Sequence, residues 1–181
     1  MQWRTWRSVG VLAASLVTAG LVVAPGAAAA PAASCELWTG VPPPSPGASE
    51  NELDGMRALG PCNVWAVGFY QNVTNGQILS LAEHWNGTAW KVMPTPSPDS
   101  DRNVLSAVGA ATINDAWAVG QTGSNTFIVH WNGSFWTQAP SPSPGEVNAL
   151  AGVATTSATD VWGVGSFTTG GLTQVLAAHC C

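Results

Sequence analysis

The seven residues from His84 to Trp90, HWNGTAW, return from His130 to Trp136 as HWNGSFW. A chain that repeats itself at this distance is assembled from copies, and a copy this short cannot bury an apolar face without a neighbour. Two further landmarks hold the same register. A Trp leads into a Pro-Ser run at Trp38 (WTGVPPPSPG), Trp90 (WKVMPTPSPD) and Trp136 (WTQAPSPSPG). The motifs VWAVG, AWAVG and VWGVG end at Gly68, Gly120 and Gly165. A histidine series completes the set, with His84, His130 and His179, and the last copy breaks off one residue later, at Cys180-Cys181.

A period of about 45 to 50 residues is that of propeller blades, each a four-stranded antiparallel sheet. Composition agrees: 8% charged residues with 20 Gly, 13 Pro and 10 Trp suit short strands and tight turns better than helices. In the best copy the spacing predicts strands over Val104 to Ala110, Ala116 to Gly120, Thr126 to Trp131 and Phe135 to Ala139. Asn132-Gly133 reads as a two-residue type I′ hairpin turn. The preceding copy follows the same plan from Leu53 to Met93, and a partial copy runs from Ala149 to Ala178. A lone fourth strand, Leu37 to Val41, precedes them and could complete the partial blade. The expected fold is therefore an all-β, β-propeller-like array of about three blade equivalents in an incomplete or open ring. Propellers close with at least about four blades, so a second copy completing the ring is one expectation.

Trp65, Trp117 and Trp162 lie inside strands with a Val two residues on, which points each pair to one sheet face. Sugar-stacking indoles would suit the same residues, but recurrence inside strands favours a core role. The three histidines repeat at one register position, which a ring would hold far apart. Each is expected to bond a neighbouring backbone group, and no metal site is assigned. Asp115 and Asp160 are expected to accept backbone N–H bonds at the start of the second strand. Cys35 and Cys62 depart from what the other copies hold, and in an exported chain they are candidates for a disulfide. It would close a loop of about 27 residues and contribute roughly 3 kcal/mol. Cys180-Cys181, in place of Trp-Asn, suggest an interrupted frame.

Residues 1 to 33 carry Arg4 and Arg7, an apolar run from Val9 to Val23, and then small residues, the order of a secretory signal. Cleavage is expected near Ala32, leaving a repeat domain over 35 to 181; an uncleaved anchor is the other reading. Without the leader, Arg57, Lys91 and Arg102 stand against ten acidic side chains. Such a surface repels phosphate backbones and anionic membranes, so neither nucleic acid nor a membrane is an expected partner of the exported chain.

Variation among copies concentrates in two sets of connections, between strands two and three and between strands four and one. In an up-and-down blade both lie on one rim, opposite the short uniform turns, and any binding surface belongs there. The candidate residues are Phe69, Tyr70, Asn72, Asp99, Asp101, Glu146 and Phe167; unconstrained loop drift accounts for the same variation.

DVWGVG from Asp160 to Gly165, AWAVG, HWNGTAW and the PSPSPG runs resemble the tandem repeats of secreted actinobacterial proteins, taken to be β-propellers of the kelch and galactose-oxidase-like class. The resemblance covers Cys35 to His179, implies a fold, and brings no site residues. Galactose-oxidase chemistry needs tyrosine ligands, yet Tyr70 is the sole tyrosine. No Ser-His-Asp, GxSxG or CxxC arrangement is present, and no cofactor is expected. The expected function is a non-catalytic extracellular module binding a glycan, a cell-wall polymer or a protein; a truncated remnant of a larger propeller enzyme is the alternative.

Overall fold

The computed structural model describes residues 40 to 47 and 49 to 180. The leader, Cys35, most of the lone strand from Leu37, and Cys181 lie outside the described residues. Among the described residues every regular element is a strand. The first sheet holds β1 (Asn51–Gly60), β2 (Asn63–Gln71), β3 (Ile78–Trp85) and β4 (Trp90–Val92); the middle sheet holds β5 (Asn103–Thr112), β6 (Asp115–Thr122), β7 (Asn125–Trp131) and β8 (Trp136–Ala139). The third sheet holds β9 (Val147–Ser157), β10 (Asp160–Thr169) and β11 (Leu172–Cys180), with β11 on its edge. All pairings within sheets are antiparallel between chain neighbours. The sheets stack in chain order, with β5 against β1 and β2, and β9 against β5 and β6. The chain is thus an all-β, propeller-like array with an open ring.

Each landmark has a local cause. At the glycine of the Trp-x-Val-Gly motif the neighbouring first strand is bulged. A β-carbon at Gly68, Gly120 or Gly165 would run into the carbonyl oxygen of Glu52, Val104 or Ala149. Only glycine lets that carbonyl approach. The Pro-Ser runs solve a ladder problem, because proline has no N–H to donate. Thr95 and Ser97 clasp Ser80 instead: the Ser80 N–H donates to Ser97 Oγ at 3.0 Å, and Thr95 Oγ1 donates to the Ser80 carbonyl at 2.8 Å. Ser141 and Ser143 make the same clasp on Thr126 at 3.0 Å each. Val175 stands at the equivalent place on β11, where no such run lies among the described residues, and is 90% exposed.

The hairpin after the histidine differs from expectation. Trp131 pairs directly with Trp136, so the connection is four residues long and β8 begins at Trp136 rather than Phe135. Gly133 has φ +93°, but among the described residues none other than glycine has positive φ, which excludes a type I′ turn at Asn132. Asn132 Oδ1 instead accepts the N–H groups of Ser134 (3.0 Å) and Phe135 (3.1 Å), and Asn86 does the same for Thr88 and Ala89. The asparagine is a side-chain cap on a wider loop.

The core lies between the first and middle sheets. Trp65 and Val67 from β2 meet Leu105, Val108, Trp131 and Trp136 from the middle sheet. Trp65 contacts Trp136 edge-on at 5.2 Å between ring centroids and Trp131 at 5.3 Å, and is 1% exposed. The expected core role thus holds fully for Trp65. Trp117 is half-buried in the next gap, and Trp162, on the far face of the third sheet, is 48% exposed.

Candidate binding rim

Both variable sets of connections meet on one side of the stack. The Ile78 N–H donates to the Asp101 carbonyl, Gly123 to Arg102, and Asn148 to Ser124, which ties each inter-sheet connection to a connection between strands two and three. The organiser is an asparagine at the first or second position of each first strand. Asn103 Oδ1 accepts the Asp99 N–H, while its Nδ2 donates to the carbonyls of Asp99 (2.8 Å) and Ile78 (3.0 Å). Asn148 repeats this toward Gly145 and Ser124. Both are buried, so these bonds satisfy groups that would otherwise be costly to desolvate. Asn51 makes only the local half of the pattern, with Gly47, and is exposed. The sequence signal, Asn-x-Leu at 51, 103 and 148, is legible once the copies are aligned.

The seven candidate residues do not form one cluster. Phe69 is 7% exposed and faces the middle sheet, with the Arg102 guanidinium 5.9 Å from its ring centroid. It packs between sheets and is not offered to a ligand. Phe167 is half-buried and fills the space beside Gly145. Asn72 caps its own turn by accepting the Thr74 N–H at 2.9 Å. Glu146 is exposed and accepts the Gly170 N–H at 3.3 Å. Asp101 is exposed and gives its carbonyl to Ile78. Tyr70 lines a groove of about 260 Å³ along the Thr95–Ser97 clasp.

Asp99 belongs to the larger groove. Its Oδ1 accepts the N–H groups of Asp101 (2.8 Å) and Arg102 (3.0 Å), and these bonds hold its carboxyl below the usual carboxylate range. The groove, about 450 Å³ and open to solvent, is lined by Asp99, Thr122, Asn125, Gln138 and the Thr126–Ser141–Ser143 clasp. Asn125 and Gln138 are exposed, so two amides stand beside a fixed charge. That combination supplies both donors and acceptors along one groove.

On the opposite side each histidine finds a partner different from the expected backbone group. His84 Nε2 bonds Asn63 Oδ1 at 2.7 Å, His130 bonds Asp115 at 2.7 Å, and His179 bonds Asp160 at 2.9 Å. The residue expected to cap a turn therefore orients an imidazole across the hairpin. His130 and His179 stack on Trp117 and Trp162 with centroids 4.0 Å apart, and His84 tilts on Trp65 at 4.6 Å. Burial lowers the pKa of His84. Hydrogen bonds from Thr156 and then His179 lower that of Asp160. Each set is internal to its own sheet, and among the described residues no three His, Cys, Asp or Glu side chains gather to hold a metal. Cys62 and Cys180 are both exposed.

A further titratable group stands outside both patterns. Glu83 is fully buried, neither carboxyl oxygen has a hydrogen-bond partner, and desolvation pushes its pKa up to about 7. The other copies hold Val129 and Ala178 at this place.

Comparison with family models and with curated proteins finds no match to this chain.

Proposed function

We propose that the chain is a non-catalytic extracellular binding module, exported by its leader, that engages a glycan or cell-wall polymer through the loop rim. The observation that carries this reading is the open groove at Asp99, Asn125 and Gln138. A carboxylate fixed by two backbone N–H groups beside two exposed amides makes a site for a ligand rich in hydroxyls. Membership of the kelch-like propeller class belongs to the same proposal, and rests on the motifs and the stacked antiparallel sheets. Asp99 is the one carboxylate among the described residues that line this groove, whereas glycoside hydrolysis ordinarily uses a facing pair, so binding is the reading this groove supports.

A glycan array and a pull-down on insoluble cell-wall polymer test the reading. Selective retention, weakened about tenfold or more by the N125A/Q138A double variant, is the expected result; that factor corresponds to about 1.4 kcal/mol, roughly one hydrogen bond. Retention that ignores these substitutions, or none on either support, would remove carbohydrate as the ligand class.

A further inference from the structure

The interface between the first and middle sheets has two halves, and each half is present a second time with no counterpart among the described residues. On one side are Trp65 and Val67, 1% and 0% exposed; the same register on the third sheet holds Trp162 and Val164, 48% and 53% exposed. On the other side are Leu105, Val108, Trp131 and Trp136, all buried. Their equivalents on the outer face of the first sheet are Leu53 and Met56, both exposed, and Trp85 and Trp90, both half-exposed. The Trp85–Trp90 pair already has the needed shape. Its ring centroids lie 5.8 Å apart at 49°, against 5.8 Å and 48° for Trp131–Trp136.

Strand count gives a second, independent sign. The third sheet has three strands among the described residues. Val41 and Pro43 stand over Leu53, Met56, Ala66 and Trp90 on the outer face of the first sheet. There they correspond in register to Ala139 and Ser141, the end of a fourth strand and its Pro-Ser run. Among the described residues, the outer face of the first sheet thus carries the segment that follows a fourth-strand position in the repeat, while the third sheet has three strands.

We propose that a second copy of this chain docks head to tail, its first sheet seating Leu53, Met56, Trp85 and Trp90 on Trp162 and Val164 of the third sheet. The contact repeats an interface the chain already makes internally, so no new complementarity is required. Being heterologous, it closes into a two-copy, six-sheet ring if the rotation allows, and otherwise propagates.

Sedimentation velocity and light scattering on the purified chain, with a reductant present so that a Cys180-linked dimer does not count, test this. The expected result is twice the chain mass, or a concentration-dependent series of larger masses. Trp162→Glu and, separately, Val164→Glu should each block one face, and Met56→Glu the other; all three positions are about half exposed or more, so far-UV circular dichroism should not change. Each variant alone should lose the closed ring and any mass above it. Mixing a third-sheet variant with Met56→Glu should restore a dimer, because one intact face remains on each. A wild-type chain that stays monomeric at tens of micromolar would overturn the proposal. So would a dimer that Met56→Glu leaves intact while Trp162→Glu abolishes it, since that pattern means third sheet against third sheet.

Discussion

Trp65 and Trp162 occupy the same place in two copies of one motif, yet one is sealed and the other half open to solvent. Nothing local separates them, for both follow a strand start, both precede a valine two residues on, and both rest on a histidine. What differs is the next sheet. Trp65 is covered by Trp131 and Trp136, whereas no further sheet follows the third among the described residues. The motif therefore supplies half of an interface, and burial depends on the neighbour. Such dependence on nearest neighbours is the physics of stacked repeats.

The largest expected break in this comparison comes from paired truncations. Trp65→Ala should cost about 3 to 5 kcal/mol, the range for removing a buried large aromatic, while Trp162→Ala in dilute solution should cost less than about 1 kcal/mol. Chemical denaturation measures both, and equal costs would mean that the copies are equally packed.

Glu83→Val installs what the middle sheet has at Val129, and its effect should depend on pH. The folded pKa of Glu83, about 7, lies above its ordinary 4.5, so between these values the folded chain holds a proton that the unfolded chain has released. Stability therefore falls as pH rises through this window and levels off above it. The substitution should stabilise by up to about 3 kcal/mol at pH 8 and by much less at pH 4. Melting curves at the two pH values decide it; a gain that is the same at both would show that Glu83 is ionised without penalty.

A smaller effect should separate the rim asparagines. Asn103→Ala strips the Asp99 and Ile78 groups of a buried partner and should cost about 1 to 3 kcal/mol. Asn51→Ala, exposed and bonded only within its own loop, should stay within about 0.5 kcal/mol. Smallest of all is the acid sensitivity of the third sheet. The lowered pKa of Asp160 means that its contribution is present above the ordinary carboxylate value and is lost as pH falls through the lower, folded one. Asp160→Asn should flatten that acid limb in a melting series, and an unchanged limb would count against the Thr156 and His179 bonds as its cause.

Much of this was legible from one line of residues. The HWNGxxW recurrence marks the copies, the valine two after each Trp gives the facing side, and the divergent connections locate the rim. Other features depend on geometry that the motifs do not encode. Asn-Gly is the usual signature of a two-residue turn, but the Trp131–Trp136 pairing fixes a four-residue loop and converts Asn132 into a cap. Asp115 looks like a turn residue until the strand register brings His130 opposite it. Phe69 lies beside a variable loop in sequence, yet its place on the Trp65–Val67 face turns it inward. Glu83 and the Asn-x-Leu series were readable by setting one copy against another, since each shows only as a difference from its equivalents.

Hydrogen exchange followed by mass spectrometry, on the Met56→Glu chain so that no second copy covers the third sheet, tests most directly whether neighbouring sheets decide burial. Peptides from β5 to β7, covered on both faces, should exchange most slowly, and those from β10 and β11 should exchange fastest despite carrying the same motif. Protection of β10 and β11 equal to that of the middle sheet would contradict the account.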